Sequence, residues 1–346
     1  MHELGASQYS IPDTSVAAEP TAEPTVPLQS IEWVEGYPRL VGGRKRALLI
    51  GIHYTGQAGE LRGCHADVEA VREFLTSRYG FTAEEMLVLT DDPANAVCEY
   101  LWPSKRAILA AMMWLVDGAQ PGDSLFLHFS GHGGQQQDTD GDEDDGYDET
   151  IYPVDHATAG MIVDDEMNAI LVHPLPAGAR LTALFDSCHS GTALDLQVVY
   201  KADGRVEKRK GKANRILTAA ADAAREAFHG AGPGVLMRGA VEMFKEAMAP
   251  EKSAMTLARV QREKGSQGTV VMFAGCKDSQ KSVDVEIAGR ATGAMSFALL
   301  ATLRARGGQS YAQVLASTRD TLRKGYSQVP QLSAAAAIDI HQLFVL

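Results

Sequence analysis

Cysteine is scarce in this 346-residue sequence, and the four present (Cys64, Cys98, Cys188 and Cys276) form no C-x-x-C pair. That spacing argues against a zinc ribbon and against a dithiol redox motif. No apolar run approaches the length of a bilayer-spanning helix, so we expect no transmembrane segment and no membrane partner. The first ten residues lack the basic and apolar regions of a secretory signal. We therefore expect reduced thiols and a cytoplasmic location, with the nucleus as a further compartment.

Basic residues are outnumbered by acidic ones, with 32 Lys and Arg against 44 Asp and Glu and a formal net charge of −12. This balance argues against a nucleic-acid partner, which would require a basic surface. It suits a basic substrate or a cation, although acidity also serves solubility. With 45% hydrophobic and 22% charged residues, the composition is typical of a globular protein with a large core.

Five prolines lie within residues 1–42, which we predict to be a flexible N-terminal extension, with docking of Ile31–Val34 on the body as an open alternative. Residues 43–346 alternate between strand and helix patterns, which predicts an α/β fold with a mostly parallel central sheet flanked by helices on both faces. The predicted strands are Arg46–Tyr54, Glu85–Leu89, Ser124–Phe129, Leu181–Phe185, Thr269–Ala274 and Ala334–Ile340. Two helices are predicted to begin after Gly63 and after Ser104. Four more are predicted over Met167–Val172, Thr218–Met248, Met295–Leu303 and Tyr311–Leu322.

Two of these predicted strands end in residues that suggest chemistry. The run Leu181–Phe185 is followed by D-S-C-H-S-G, and the run Ser124–Phe129 is followed by S-G-H-G. Ligands bind at the carboxyl ends of strands in open α/β sheets, and a cysteine nucleophile needs a basic partner such as histidine. Taken alone, Cys188 is better explained as a small core residue. Its pairing with His132 favours a nucleophile–base dyad.

The two motifs together resemble the metacaspases, which are calcium-dependent relatives of the caspases. The spacing of 56 residues from His132 to Cys188 also fits a caspase-type order. The resemblance runs from Lys45 to the C-terminus and includes G-C-H-A-D at 63–67, F-A-G-C-K-D at 273–278 and P-Q-L-S at 330–333. The proline-rich N-terminus and the short connection after Cys188 resemble a type I member, without the cysteine-rich zinc motif that some of these carry.

The resemblance implies a caspase-like fold and a monomeric cysteine endopeptidase acting on protein or peptide substrates. It divides the domain into a large-subunit-like region 43–200, a linker 201–268 and a small-subunit-like region 269–346. Cys188 is expected to attack the scissile carbonyl, and His132 to give a proton to the leaving amine. Backbone N–H groups near Gly133 and Cys188 are expected to hold the oxyanion.

The S1 pocket, which receives the substrate residue before the cleaved bond (P1), is assigned by the resemblance to Asp67, Asp186, Cys64 and Ser130. Cleavage after Arg or Lys is then expected. For Asp67 an alternative is a simple carboxylate at a helix N-terminus, where the helix dipole favours it. Asp186 lies two residues before Cys188, and its negative charge would oppose thiolate formation there. Pairing with a cationic substrate side chain is therefore its better interpretation.

Acidic residues cluster between Asp138 and Glu149, at spacings that partly match an EF-hand loop. Glu143 stands where that loop requires glycine, so an EF-hand is excluded. The resemblance instead assigns Ca²⁺ as the cofactor and Asp148, Asp164, Asp165 and Asp195 as its ligands. The alternative is a solvated acidic face without a bound ion.

A basic segment follows the Cys188 region, and residues 201–215 hold seven Lys and Arg. We predict an exposed loop there, and exposed loops are preferred sites of proteolytic nicking. Self-cleavage is expected after one of Lys201, Arg205, Lys208, Arg209, Lys210, Lys212 and Arg215.

Two other functions stay open at this point. One is a caspase-fold scaffold or a stress and aggregate-handling factor in which proteolysis is secondary. The other is an Asn-specific peptidase of the same fold, similar to legumain. An intact Cys188–His132 pair with an acidic pocket disfavours the first, and the missing secretory signal disfavours the second.

Overall fold

The computed structural model describes residues 30–137, 147–188, 190–191, 193–201, 206–208, 266–275, 284–287, 290–326 and 328–346. Fifteen strands and six α-helices lie within these ranges. None of the helices described there is both long enough and apolar enough to cross a bilayer.

The strands fall into one large sheet and three small ones. Their bounds are Ser30–Val34 (β1), Tyr37–Val41 (β2), Lys45–Gly51 (β3), Met86–Thr90 (β4), Ser124–Ser130 (β5), Gly133–Gln137 (β6), Tyr147–Ile151 (β7), Ile162–Val163 (β8), Arg180–Asp186 (β9), Val198–Lys201 (β10), Val206–Lys208 (β11), Thr269–Ala274 (β12), Asp284–Ile287 (β13), Arg290–Gly293 (β14) and Gln331–Ala334 (β15). The large sheet has the order β11-β10-β15-β12-β9-β5-β3-β4. Neighbours from β12 to β4 pair in parallel, whereas β15, β10 and β11 pair antiparallel, so the predicted mostly parallel sheet is confirmed.

The helices cover both faces of this sheet, as predicted. Their bounds are Cys64–Phe74 (α1), Lys105–Val116 (α2), His156–Ala159 (α3), Asp164–Leu171 (α4), Ala294–Ala305 (α5) and Tyr311–Leu322 (α6). The predicted cap Ser104 accepts a hydrogen bond from the Ala107 N–H at 3.2 Å and so satisfies one of the open donors at the start of α2.

Strand β3 shows how the two cores divide. Leu48 and Ile50 pack with α2 and α4, whereas Ala47 and Leu49 pack with α1, α5 and α6. This alternation is the period-two pattern of a strand. All four side chains are fully buried. Because both faces of the strand are covered, its sequence is a continuous apolar run without polar alternation.

The carboxyl ends of three parallel strands lie level with one another. In the ladders, Gly51 of β3 is opposite Ser130 of β5, and Ser130 is opposite Asp186 of β9. The turns that follow these ends therefore begin side by side. The two motifs singled out in the sequence, around His132 and Cys188, both start from this edge.

The N-terminal boundary differs from the prediction. Residues 30–41, inside the predicted flexible extension, form the β1–β2 hairpin. Its Leu40 N–H donates to the Leu346 carbonyl at 3.1 Å, and the Tyr37 hydroxyl to the Arg304 carbonyl at 3.3 Å. Burial of Tyr37 and Leu40 against the body overrides the proline-rich composition, so the predicted boundary at residue 42 is too late.

The predictions for the last strand and for the basic loop 201–215 are also corrected. The last strand is Gln331–Ala334 rather than Ala334–Ile340, because Leu332 is fully buried and pairs across from Phe273. The predicted basic loop 201–215 begins with paired strand, since Val206–Lys208 pairs with β10. The predicted helix Thr218–Met248 lies outside the described residues.

We predict that Gly51→Ala destabilises the fold by about 1–3 kcal/mol through overpacking. A methyl group at Gly51 would lie 2.6 Å from the Cys64 carbonyl oxygen and 2.7 Å from Val68 Cγ2, so α1 would be forced off the end of β3. Gly325→Ala is the matched control, because an added methyl there meets no atom within 4 Å. Urea unfolding of both variants measures the difference, and equal stability of the two would show that α1 can shift freely.

Candidate active site

The turn after β5 carries His132, whose backbone is held on both sides. The His132 N–H donates to the Tyr54 hydroxyl at 2.9 Å, and its carbonyl accepts from the Tyr152 N–H at 3.0 Å. Tyr54 follows β3 and Tyr152 follows β7, so the histidine turn is fixed to two neighbouring strand ends. The imidazole itself is partly exposed and can meet a substrate.

The imidazole is oriented by a backbone carbonyl. His132 Nε2 lies 2.5 Å from the carbonyl oxygen of Gly59. A carbonyl oxygen only accepts hydrogen bonds, so Nε2 carries the proton and Nδ1 is the basic nitrogen of the neutral ring. The sequence analysis found no side chain to orient His132, and Gly59 fills that role with its main chain.

The turn after β9 carries Cys188, which is partly exposed. A methyl group added at Gly133 would lie only 2.1 Å from the Cys188 carbonyl oxygen, so no residue larger than glycine fits at that position. The backbone next to His132 therefore touches the backbone of Cys188. This contact brings the two predicted catalytic turns together, as the parallel ladder requires.

The four predicted S1 residues gather beside these turns. Ser130 Oγ donates to Asp67 Oδ2 at 2.8 Å, and Ser130 is the ladder partner of Asp186. Cys64 begins α1, one turn before Asp67, and the Asp67 N–H bonds to the Gly63 carbonyl. Asp67, Asp186, Cys64 and Ser130 are all buried, at 1–3% exposure.

Donors from the start of α5 hold both carboxylates. The Gly293 N–H donates to Asp67 at 2.9 Å, and the Thr292 hydroxyl donates to the same carboxylate. The Ser296 N–H donates to Asp186 Oδ2 at 2.7 Å. Open N–H groups and the helix dipole make a helix N-terminus a favourable place for negative charge. This arrangement offsets part of the cost of burying two acids together.

Burial and the neighbouring Asp186 nevertheless raise the pKa of Asp67 to about 7. The hydrogen bonds from Thr292, Ser130 and Gly293 act in the opposite direction but do not cancel this rise. The acid pair therefore carries a proton at mildly acidic pH. Two like charges in one buried pocket cannot both ionise easily.

This geometry can be compared with known proteins. Residues 45–197 match the sequence profile of the metacaspase peptidase C14 domain. Metacaspase-1A of Aspergillus terreus is 48% identical over 313 residues, which cover 90% of this chain and 75% of that protein. The chain belongs to the metacaspase family. Metacaspase-1 of Cryptococcus neoformans is 49% identical over 305 residues, or 88% of this chain.

Metacaspases are caspase-like cysteine peptidases, so the predicted family and fold class are confirmed. The chain spans 65% of the length of the Cryptococcus relative and of Metacaspase-1A from Neurospora crassa. Among solved structures, protein GSU0716 of Geobacter sulfurreducens superposes with a TM-score of 0.51 at 24% identity, covering 86% of this chain and 95% of that one. That likeness supports the fold alone.

The four acids predicted to bind calcium in this metacaspase lie on three segments, of which α4 contacts the other two. Asp148 is in β7, Asp164 and Asp165 begin α4, and Asp195 follows β9. The Glu149 N–H of β7 donates to Asp164 Oδ2 at 3.3 Å. On the other side, Asn168 of α4 donates to the carbonyl of Asp195 at 3.3 Å.

The donor chemistry of this acidic region fits a hard cation, because carboxylate oxygens are the ligands that calcium prefers. Asp164, however, also accepts the N–H of Asp165 at 3.0 Å, and Gln136 donates to Asp148 at 3.4 Å. Within the described ranges, no three His, Cys, Asp or Glu side chains form a group that could hold a metal. Calcium binding therefore stays a prediction. The EF-hand-like stretch 138–146 lies outside the described residues.

Two of the seven predicted self-cleavage positions lie in strands of the large sheet. Arg205, Arg209, Lys210, Lys212 and Arg215 lie outside the described residues. Lys201 ends β10 and is opposite Gln331, and Lys208 ends β11 and is opposite Val198. A backbone already paired in a ladder is a poor protease substrate, so these two positions are less suitable.

Sequence reasoning missed the residues that support the site. These are Tyr54, Gly59 and Tyr152 around the histidine, and Thr292, Gly293 and Ser296 around the acids. A weak signal existed for two groups of them. Tyr54 is the last residue of the predicted first central strand, and T-G-A-M-S at 292–296 precedes an apolar helical run, where a helix N-terminus is expected.

We predict that Asp67→Asn changes how stability depends on pH. Asp67 loses its proton near 3.8 in the unfolded chain and near 7 in the folded one, so the folded state binds more protons between these values. The contribution of Asp67 to stability therefore falls as pH rises through that window and stays low above it. Asparagine mimics the neutral form and cannot ionise. In urea unfolding, the free energy of unfolding of the variant should rise relative to that of the wild type by up to a few kcal/mol between about pH 4.5 and about pH 7.5.

Asp320→Asn is the control for this pH series, because Asp320 is exposed on α6. Its stability relative to the wild type should not change across the same range. If the difference in free energy of unfolding between Asp67→Asn and the wild type also stays constant over this pH range, Asp67 is ionised in the folded protein throughout. That result would contradict a proton held by the acid pair.

Proposed function

We propose that this metacaspase is a cysteine endopeptidase that cleaves after Arg or Lys and that calcium activates it. The observation that carries the specificity is the buried acid pair, Asp67 and Asp186, placed beside the Cys188 and His132 turns. A buried carboxylate pair next to a nucleophile has a natural partner in a cationic substrate side chain. The whole chain then serves one peptide-hydrolysis site at the carboxyl edge of the sheet.

The chemistry follows from the orientation of His132. With Nε2–H bound to Gly59, the free lone pair of Nδ1 can take the Cys188 proton, and the thiolate then attacks the scissile carbonyl. His132 gives the proton to the leaving amine. The departure of the amine leaves the acyl part of the substrate on Cys188 as a thioester, the acyl-enzyme. Water hydrolyses this thioester, with His132 again moving the proton. In this proposal, the N–H groups of Gly133 and Cys188 hold the oxyanion.

The acid pair binds the substrate side chain, and its surroundings limit the negative potential that it creates at the Cys188 thiol. Asp186 lies two residues before Cys188, and its charge opposes thiolate formation. Hydrogen bonds from Gly293 and Ser296 reduce that negative potential. An arginine or lysine side chain in the pocket would reduce it further, so substrate binding and thiol activation favour each other.

We expect peptides with Arg or Lys before the cleaved bond to be cleaved roughly 100-fold faster, as kcat/KM, than peptides with Asp or Asn there. A panel that varies only this residue measures the preference. The reason is that a buried acid pair is left without its counter-charge when a neutral or acidic side chain enters. Asp186→Asn should lose most of the preference.

Cys188→Ala provides the control for the panel, since it should remove turnover of every peptide while leaving the fold intact. Equal cleavage of Asp and Arg peptides by the wild type would rule out the acid pair as the S1 pocket. Preferential cleavage of Asn peptides would favour the legumain-like alternative instead. A cellular effect that survives Cys188→Ala would favour the scaffold alternative.

Calcium would be held by Asp148, Asp164, Asp165 and Asp195 in this proposal, and it would offset their mutual repulsion. Because α4 contacts both β7 and the segment after β9, the charge state of these acids would affect the chain that follows each catalytic turn. Calcium prefers flexible oxygen cages, whereas magnesium demands octahedral geometry and keeps its waters. Magnesium should therefore substitute poorly.

We predict that protein purified in chelator hydrolyses an Arg peptide slowly and gains activity with calcium at micromolar to millimolar levels. Self-cleavage after Lys or Arg between Lys201 and Arg215 should begin at the same calcium level. Asp165→Asn and Asp195→Asn should each raise the half-maximal calcium concentration about ten-fold, since each removes one charged ligand. N-terminal sequencing of the fragments locates the cuts.

Asp320→Asn again serves as the control, because it removes an exposed acid on α6, which packs in a different core from α4, and should leave the calcium response unchanged. Full activity in chelator, for protein never exposed to calcium, would show that the four acids are a solvated face. Fragments that all begin outside residues 202–216 would contradict the proposed processing segment.

A further inference from the structure

We propose that Tyr54 is a positioning residue for His132, with its hydroxyl fixing the histidine backbone and its main chain fixing the loop that orients the imidazole. This inference rests on the proposed Cys188–His132 chemistry. Tyr54 does not face a substrate, since its side chain is fully buried. Its influence on the reaction would therefore act through His132.

The Tyr54 hydroxyl makes two hydrogen bonds of opposite sense. It accepts from the His132 N–H at 2.9 Å and donates to the Tyr152 carbonyl at 2.6 Å. Burial raises the pKa of the Tyr54 hydroxyl well above its ordinary value, so it keeps its proton and its donor role at any working pH. Since the Tyr152 N–H binds the His132 carbonyl, the hydroxyl closes a ring of bonds around the histidine backbone.

The same residue anchors the loop that holds the imidazole. Gly59, whose carbonyl accepts from His132 Nε2, lies in the segment that starts at Tyr54. That segment is closed by the Gln57 N–H bond to the Tyr54 carbonyl at 2.9 Å and by the Leu61 N–H bond to the His53 carbonyl at 2.7 Å. The Tyr54 ring also lies 4.6 Å from the imidazole, centroid to centroid. Tyr54 thus contacts the backbone and the ring of His132, and it also anchors the loop whose Gly59 carbonyl orients that ring.

The backbone of Tyr54 is strained, which a purely space-filling tyrosine would not need. Its φ is +55°, a conformation shared by only two other non-glycine residues in the described part of the chain. Such a conformation is strained for a bulky residue and is kept where the surroundings enforce it. Asp91 enforces it, because its buried carboxylate accepts the N–H groups of His53 at 2.7 Å and Thr55 at 3.3 Å, on either side of Tyr54.

Space around the hydroxyl is also tightly limited. A methyl group at Gly131, the residue before His132, would lie 2.8 Å from the Tyr54 hydroxyl oxygen. The hydroxyl therefore has one position, between the histidine turn and Tyr152. Small displacements of a catalytic group cost large factors in rate, up to about 100-fold for a shift near 1 Å.

The test removes the hydroxyl and keeps the ring. Tyr54→Phe should lower kcat for an Arg peptide roughly 10- to 100-fold with KM changed less than about two-fold. Tyr79→Phe is the matched control: Tyr79 is equally buried but packs in the other core, against Tyr37 and Phe74, and its variant should keep wild-type kcat. Loss of kcat in Tyr54→Phe, measured well below the Tm of the variant and absent in Tyr79→Phe, would support positioning. Equal kcat in both variants would overturn it.

A second readout does not depend on peptide hydrolysis. The rate at which iodoacetamide alkylates Cys188, followed by peptide mass spectrometry over a pH series, reports how well His132 promotes the thiolate. Tyr54→Phe should shift this profile towards that of His132→Ala, and Tyr79→Phe should not. If the wild type hydrolyses no peptide but shows a His132-dependent profile, the proposed function fails and the alkylation series still decides on Tyr54. A Tyr54→Phe profile identical to the wild type overturns the inference.

Should Tyr54→Phe fail to fold, Gly131→Ala provides the alternative variant. The added methyl would lie 2.8 Å from the Tyr54 hydroxyl oxygen and 2.9 Å from Phe129 Cζ, so the groups packed against Gly131, the hydroxyl among them, must shift. We expect kcat to fall and the alkylation profile to shift in the same way. A folded Gly131→Ala protein with wild-type kcat and a wild-type alkylation profile would overturn the inference.

Discussion

The parallel pairing of β3, β5 and β9 is the constraint on which the site depends. Its register sets Gly51, Ser130 and Asp186 level at one edge, and each of the following turns then contributes to the site. Hydrogen bonds in a parallel ladder are evenly spaced, so sliding one strand by a residue would move its entire face. The buried apolar runs on both faces prevent such a slide. Core packing thereby fixes the relative heights of His132, Cys188 and the acid pair.

Electrostatics is the second constraint, because this edge concentrates buried negative charge. Asp67 and Asp186 together would be costly without compensation. The compensation comes from a distant part of the chain, the N-terminus of α5, whose Gly293 and Ser296 N–H groups bind the two carboxylates. A methyl at Gly293 would lie 2.1 Å from Asp186 Oδ2, so only glycine lets the helix end come so close. The C-terminal region is therefore part of the pocket as well as part of the sheet.

The sequence predicted what local patterns encode. Apolar runs located the central strands, and polar residues after two of them located His132 and Cys188. The last strand was misplaced because its four residues, Gln331–Ala334, are defined by pairing with β12 and β10 rather than by a run of their own. The supporting contacts were missed for a related reason: the Tyr54–His132 bond spans 78 residues and the Gly293–Asp67 bond spans 226. No local pattern reports which distant backbone group a side chain will meet.

Orienting the histidine with a carbonyl rather than with a carboxylate suits this electrostatic setting. A carboxylate on Nε2 would add a third negative charge near Asp67 and Asp186, and each added charge raises the pKa of a nearby thiol. The Gly59 carbonyl fixes the same tautomer of His132 without a formal charge. The carbonyl can do so only if its loop is held in place, because a backbone group cannot change rotamer to follow its partner. The strained backbone at Tyr54 and its clamp by Asp91 meet that requirement, so the supporting carboxylate Asp91 acts on the backbone of the loop and not on the imidazole itself.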